Sequence, residues 1–225
     1  MKNIIFVVIT LLACNMTATA QSSREKIKNS IASWGSCRLV AITNNNGNVA
    51  IYSHNGHSAA GVPVGLADAL RSVTNSGHRI SDVVLTEGGK WLVLYGNNGF
   101  ISSGAPADMD NRLRQYSSQA ETVLSVTFRD NGEWVIVTRN QWIASNNTIA
   151  NWIKDVTPNS GGLLSVYLSE NAMSAVYDNT TKVSGNVPQG LSNALRASNF
   201  KIQTVKMAGS SCFIADANGN YSYSM

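Results

Sequence analysis

The chain has 225 residues, a formal net charge of +4 and only 13% charged residues. Its lysines and arginines form no cluster longer than two residues, whereas nucleic-acid binding requires a basic stripe, so no nucleic-acid partner is expected. The chain has 18 glycines and only 4 prolines, a composition typical of short strands joined by tight turns.

Residues 1–20 are predicted to be an export signal. Lys2 precedes an apolar run of about ten residues, Ile4–Ala13, which is too short to span a bilayer. Cleavage after Ala20, which we favour, predicts a secreted, periplasmic or cell-surface protein. The alternative is Leu11-Leu12-Ala13-Cys14, which resembles a bacterial lipobox. Cleavage there would lipidate Cys14 and anchor a lipoprotein to a membrane.

A pair of apolar residues four apart recurs five times, at intervals of 39 to 43 residues. Residues four apart lie on one face of a helix, and a fixed period predicts a repeat architecture. In three copies a proline (Pro63, Pro106 and Pro188) stands three residues before the pair, which favours a helix start there. The five pairs are Ile27/Ile31, Leu66/Leu70, Met109/Leu113, Ile149/Ile153 and Leu191/Leu195.

The second copy predicts three strands before its helix. Ile80–Leu85 is a first strand, and Trp91–Tyr95 is a second strand that is apolar throughout and therefore buried on both faces. Asn97-Asn98-Gly99 is typical of a hairpin turn in which glycine or asparagine adopts a positive φ. Phe100–Ser103 is the third strand. Each unit is therefore predicted to be β-β-β-α.

The last copy ends without a helix, while the segment Arg24–Trp34 predicts a helix with no strands before it. We therefore predict a β-rich α+β fold: a closed, propeller-like five-fold ring of about 40-residue β-β-β-α repeats. The N-terminal helix pairs with the C-terminal strands, and this closure leaves no unpaired sheet edge. Residues 21–225 form one domain with units at roughly 36–76, 79–120, 122–157, 163–199, and 201–225 plus 23–35.

The run from Trp91 to Gly99, followed by Gly104, Pro106 and Met109, resembles a tandem module of exported bacterial proteins. The module has the pattern W-x-x-x-Y-G-x-N-G, then G-x-P-x-x-L. The resemblance covers essentially all of residues 21–225, although Thr138 replaces the tyrosine in copy three and Met173 the tryptophan in copy four. The module has no established activity, so it implies no catalytic residues. Five units in a ring also resemble pentein α/β-propellers, by architecture alone.

Two cysteines, Cys37 and Cys212, remain after cleavage at Ala20. An even pair in an oxidising compartment permits a disulfide, and the ring would make their units neighbours. Both residues also align with apolar core positions of the other copies, where free cysteine behaves as a small hydrophobe. We favour buried thiols and keep the disulfide as the alternative.

The cysteines and histidines raise two further possibilities, catalysis and metal binding. A pentein-type cysteine hydrolase or amidine-transforming enzyme would use Cys212 with Asp216 and a histidine, but Cys212 falls in an apolar strand that does not suit a nucleophile. The histidines considered are His54, His57 and His78. His54 and His57 have no third ligand nearby, so no metal or other cofactor is predicted.

Tyrosine recurs at the end of the second strand, at Tyr52, Tyr95 and Tyr177. The tyrosine hydroxyl must find a partner or reach water, so these three side chains are expected to lie in a circle on one face of the protein. Amide and charged groups are expected to flank them, and such a surface suits glycans and peptides. Trp142 has no counterpart in the other copies except Phe100 and is a candidate hot spot. The candidate binding residues are Tyr52, His54, Tyr95, Asn97, Arg139, Trp142, Tyr177 and Asp178.

The sequence therefore predicts an exported, monomeric, non-enzymatic module that binds a glycan, peptide or protein partner on one face of the ring. The pentein-type enzyme is one alternative. A structural component of the bacterial envelope is another, which the lipobox-like segment ending at Cys14 would favour.

Overall fold

The repeat is visible in a computed structural model that describes residues 23–45 and 47–225. The predicted signal segment, with Cys14 and both cleavage sites, lies outside the described residues. Within them the fold is α+β, with five helices and five antiparallel sheets of three strands each. None of the described helices is long and apolar enough to cross a membrane.

Each sheet consists of three consecutive strands in chain order, and we number the sheets one to five. The strands are β1 (Leu39–Ile42), β2 (Asn48–Tyr52), β3 (Gly56–Ala60), β4 (Ile80–Leu85), β5 (Trp91–Tyr95), β6 (Gly99–Ser103), β7 (Val123–Phe128), β8 (Trp134–Thr138), β9 (Trp142–Ala144), β10 (Leu163–Leu168), β11 (Ala172–Tyr177), β12 (Thr181–Gly185), β13 (Thr204–Ala208), β14 (Ser211–Ala215) and β15 (Tyr221–Ser224). The helices are α1 (23–34), α2 (Leu66–Asn75), α3 (Ala107–Ser118), α4 (Asn147–Lys154) and α5 (Gln189–Ala197), with a 3-10 turn at Pro158–Ser160.

The predicted order of three strands and a helix is confirmed, and local sequence explains most boundaries. Helices α3 and α5 begin directly after Pro106 and Pro188. Helix α2 begins three residues after Pro63, because Gly65 intervenes in a left-handed conformation (φ 86°). At the start of α4 the Asn146 side chain instead accepts a hydrogen bond from the backbone N–H of Ile149 at 2.9 Å.

The helices bury their apolar faces between neighbouring sheets. Leu66, Leu70 and Val73 of α2 pack against β1 and β2 on one side and against β4 and β5 on the other. Leu66 and Leu70 have no exposed surface, and burying one such side chain contributes about 1.5–3 kcal/mol. The apolar pairs that revealed the repeat are therefore the contacts that join one unit to the next.

The N-terminal helix α1 packs against the last sheet. Its Ile27 and Ile31 are fully buried in a cluster that includes Phe213 and Ala215 of β14 and Val40 of β1. The two ends of the chain also meet through a backbone hydrogen bond from Cys37 N–H to the Gly219 carbonyl (3.0 Å). Helix α1 thus lies between sheets five and one, as α2 lies between sheets one and two.

The first strand of each sheet contacts the first strand of the next. The contacts run from β1 to β4, β7, β10 and β13, and β13 in turn contacts β1. One buried position of these strands holds valine in every unit: Val40, Val83, Val126, Val166 and Val205. The first strands therefore pack against one another.

In the hairpin between β5 and β6, the residue with a positive φ lies outside the predicted turn Asn97-Asn98-Gly99. Gly96 supplies the positive φ (60°), rather than the asparagines that follow it. Gly99 lies opposite Tyr95, whose ring covers it so closely that an added Cβ would lie 2.5 Å from the ring. Gly56 and Tyr52 of the first unit form the same pair. The tyrosine and glycine of the module are thus one packing unit.

Candidate functional site

The three strand-end tyrosines predicted to form a binding ring contact the segment that precedes their sheet: Tyr52 and Tyr177 contact the preceding helix, and Tyr95 contacts the loop that follows α2. The pairs are the stacked rings of Tyr52 and Trp34 (centroids 4.3 Å apart), the tilted rings of Tyr95 and His78 (5.4 Å), and the Tyr177 hydroxyl donating to the Ile153 carbonyl. Burial raises the pKa of Tyr177 to about 12. These side chains join units to one another. The hydroxyl of Tyr177 is already hydrogen-bonded within the protein and is not available to a ligand.

Two of the flanking polar residues are also engaged. His54 Nε2 lies 3.1 Å from the Gly77 carbonyl. The Asp178 carboxylate accepts hydrogen bonds from Lys201 Nζ (2.9 Å) and from the backbone N–H of Gly162 (2.8 Å), and these bonds lower its pKa. Both residues hold loops beside a helix end.

The remaining candidates lie apart from these contacts. The Asn97 carbonyl accepts a hydrogen bond from the backbone N–H of Val123 at 2.7 Å, and Arg139 is exposed. Trp142 is half-buried, with Lys154 Nζ 6.0 Å from its ring centroid. None of these contacts joins one predicted residue to another, although Tyr177 and Asp178 line the same surface depression.

A cavity of about 260 Å³ opens at the end of the sheets where the tyrosines lie, and we call it the Arg38 cavity. Residues of all five units line it, two from each first strand at equivalent repeat positions. Arg79, Asp216 and Ala217 complete the lining. The outer position holds Arg38, Ser81, Leu124, Leu164 and Gln203, and the inner position holds Leu39, Asp82, Ser125, Ser165 and Thr204.

At the inner end of the Arg38 cavity, Asp82 is buried and every side-chain oxygen is bonded. Its Oδ1 accepts from Lys206 Nζ and from the backbone N–H of Val83, both at 2.9 Å. Its Oδ2 accepts from Ser125 Oγ at 3.1 Å and from the backbone N–H of Val126 at 3.2 Å. This closed polar cluster links β4, β7 and β13 and forms a rigid floor.

Arg38 is a buried cation on the rim, with only 8% of its surface exposed. Its guanidinium donates to the backbone carbonyls of Ser53, His54 and Ile80. Burial, together with repulsion from Arg79, lowers the pKa of Arg38 to about 10. None of the ion pairs among the described residues includes either arginine.

At the opposite end of the first strands the molecule is closed. The depression there measures about 30 Å³, and all five units again line it. Acidic side chains at this end hold neighbouring turns together: Glu87 accepts from the backbone N–H groups of Asn44 (2.8 Å) and Asn45 (3.1 Å). Asp130 accepts from the backbone N–H of Gly88 at 2.6 Å. Of the two ends of the first strands, the Arg38 end is therefore the more open one.

Cys37 and Cys212 are free thiols, fully buried in separate core clusters, so the disulfide considered from the sequence is not formed. Burial raises the pKa of both thiols, that of Cys37 to about 12. His57 Nδ1 lies 3.1 Å from Thr74 Oγ1, and burial lowers the pKa of His57. Residues 23–45 and 47–225 contain no group of three or more histidine, cysteine or acidic residues arranged to hold a metal ion.

Sequence reasoning missed the Arg38 cavity, although the repeat carried a signal for it. Aligning the first strands places Asp82 and Lys206 in runs that are otherwise apolar, beside the position that is valine in all five units. Charged side chains in buried strands indicate a partner or a site. Neither a protein-family model nor a curated protein matches the sequence.

Proposed function

We propose that the five units close into a propeller-like ring around the first strands, and that the protein is a non-enzymatic module that binds its ligand at the Arg38 cavity. Two observations support the ring: the first strands contact one another in cyclic order, and α1 fills the gap between sheets five and one. Residues of all five units also line the depressions at both ends of these strands.

The functional proposal is carried by the Arg38 cavity itself, to which every unit contributes residues. The position facing the packed core is valine in every unit, as fold symmetry favours. At the two positions facing the Arg38 cavity the residues vary from unit to unit, for example Arg38, Ser81 and Leu124. A concave site with a few convergent polar groups is the usual form of a ligand site. Valine is thus kept at one packed position, while the residues vary at the two cavity positions and also at the buried position after the valine, which holds Ala41, Val84, Thr127, Tyr167 and Lys206.

A binding role suits the chemistry better than the pentein-type enzyme. Cys212 has no exposed surface, and burial raises the pKa of its thiol, whereas a cysteine nucleophile requires an accessible thiolate. Asp216 lines the Arg38 cavity, but Cys212 is not among the residues that line it. The two groups that such an enzyme would pair therefore face different surroundings.

The proposed setting is outside the cytoplasm, on the strength of Lys2 and the apolar run that follows it. The partner is a glycan, a peptide or a protein met in the periplasm, at the cell surface or in the medium. A lipoprotein anchored through Cys14 would present the same cavity from a membrane.

An array of glycans and peptides, probed with the purified protein, tests the proposed site. Leu124, 36% exposed on the cavity rim, is changed to aspartate, and Val64, 98% exposed and outside the cavity, is changed in the same way as the control. Binding lost in Leu124→Asp and kept in Val64→Asp, with unchanged thermal melts, supports the proposal. Binding that survives Leu124→Asp and is lost in Trp142→Ala would instead place the site on the outer face.

A further inference from the structure

We propose that the Arg38 cavity takes a carboxylate that is attached to an apolar group, as at the free carboxyl end of a peptide whose last residue is apolar. The carboxylate lies between Arg38 and Arg79, and the apolar group lies against Leu124 and Leu164. This inference deepens the proposed function and rests on it.

The first observation is the incomplete environment of the Arg38 guanidinium. Three carbonyl oxygens hold its Nε and Nη2 atoms. Its Nη1 makes no hydrogen bond to the described residues and is not sealed from solvent. A buried charge is costly unless it is paired, and carbonyl oxygens supply only partial negative charge. An anion at Nη1 would complete this environment.

The second observation is that Arg79, which carries the same positive charge, lies close enough to repel Arg38. Arg79 is exposed, lines the same cavity and repels the Arg38 guanidinium strongly enough to help lower the pKa of Arg38. Two guanidinium groups that line one cavity and form no ion pair with a described residue favour an anion there, because one carboxylate can accept hydrogen bonds from both. Binding would turn this repulsion into attraction.

The acidic residues of the cavity make no hydrogen bond to either arginine, although Asp82 attracts the Arg38 guanidinium electrostatically. The Asp82 carboxylate is fully occupied by Lys206, Ser125 and two backbone N–H groups. Asp216 accepts from the backbone N–H groups of Asn218 and Asn220, both at 2.9 Å, and from the Asn220 side chain at 2.6 Å. The hydrogen-bonding capacity of both carboxylates is therefore used within the protein, and neither arginine forms an ion pair with a described residue.

Two leucines in the cavity lining set the second half of the proposed ligand. Leu124 and Leu164 come from sheets three and four, whereas the arginines come from the segments that begin sheets one and two. In the contact order of the first strands, the two units that supply the arginines are followed by the two units that supply the leucines, and all four residues line the same cavity. A volume of about 260 Å³ is below the roughly 300–1,000 Å³ of drug-sized sites, which suits the end of a chain.

The test uses N-acetyl-leucine as the probe, followed by backbone amide chemical-shift titration of the intact protein. The matched probes are N-acetyl-leucine amide, which lacks the carboxylate, and glucuronate, which has a carboxylate without an apolar group. We expect N-acetyl-leucine to bind with shifts at Ser81, Leu124 and Gln203, and each matched probe to bind about tenfold more weakly or not at all. Equal binding of the amide or of glucuronate would overturn the inference.

Two variants separate this inference from the proposed function. Arg79→Gln should weaken N-acetyl-leucine binding about tenfold, because it removes one exposed member of the pair without unfolding the chain. Arg71→Gln is the control, since that arginine is exposed and pairs with Asp68 on α2. If array ligands depend on Leu124 but no probe responds to Arg79→Gln, the carboxylate inference fails while the binding site stands. If neither Leu124→Asp nor Arg79→Gln changes any binding, both fail.

Discussion

The ammonium of Lys206 lies 2.9 Å from Oδ1 of Asp82, although 124 residues separate them in the chain. Their side chains are only 3% and 5% exposed, so water screens this pair very little. Changing Lys206 to methionine leaves a buried carboxylate without its counter-ion. We expect Lys206→Met to lower the free energy of unfolding by about 3–5 kcal/mol, measured by urea denaturation.

The exposed pair of Lys201 and Asp178 provides the control for that measurement. Its side chains are 57% and 39% exposed, so Lys201→Met should cost less than about 1 kcal/mol. Adding Asp82→Asn to Lys206→Met should restore part of the loss, because the remaining amide carries no charge. Equal losses for the two lysine variants would show that the Lys206 pair is open to solvent.

The proposed closure by α1 makes its buried residues as important as those of the central helices. Ile31 has no exposed surface and packs against sheets five and one, so Ile31→Ala should cost about 2–5 kcal/mol of unfolding free energy. Asn29, exposed on the same helix, is the control, and Asn29→Ala should change stability by less than about 0.5 kcal/mol. A small effect of Ile31→Ala would mean that the helix is dispensable and the ring does not depend on it.

Gly96 and Gly99 stand in one hairpin, but alanine should act on them by different mechanisms. At Gly99 the new methyl group meets the Tyr95 ring, which we expect to cost about 1–3 kcal/mol. At Gly96 nothing lies within 4 Å, and the cost of about 1–2 kcal/mol comes from its positive φ of 60°.

Adding Tyr95→Thr, the residue type of Thr138 in the third unit, separates these two causes. The second change should relieve Gly99→Ala and leave the cost of Gly96→Ala unaltered, in a double-mutant cycle followed by thermal denaturation. Equal coupling of Tyr95 to both glycines would contradict the assignment.

The buried thiol of Cys37 should make stability fall at high pH. Burial raises its pKa to about 12, while in the unfolded chain the thiol ionises near pH 9.0. Above pH 9.0 the unfolded state therefore binds fewer protons than the folded state, and ionisation favours unfolding. The stability of the wild type relative to Cys37→Val is fully present below about pH 9 and should fall above it by at most about 1.4 kcal/mol per pH unit until about pH 12.

Urea denaturation of both proteins at pH 8, 9, 10 and 11 measures that difference. Cys37→Val is a suitable reference, because valine fills the same apolar cluster without a titrating group. A difference that stays constant across this range would mean that the thiol ionises equally in both states.

The sequence alone was enough to predict the five units and most of their boundaries. Strands β4 and β5 occupy their predicted residues, because alternation, apolar runs and turn residues are properties of neighbouring positions. The lone helix 23–34 could be assigned to the last strands since the repeat lacked a helix at one end and had an extra one at the other.

The use of individual side chains was decided by the tertiary structure. Nothing in the repeat distinguishes a tyrosine that reaches a ligand from one that donates to Ile153, as Tyr177 does. Likewise, the pairing of Asp82 with Lys206 and the crowding of Arg38 by Arg79 depend on contacts between strands far apart in the chain. Local pattern fixes which residues form a strand, but the environment of a buried charge comes from the units packed around it, and their arrangement exists only once the chain has folded.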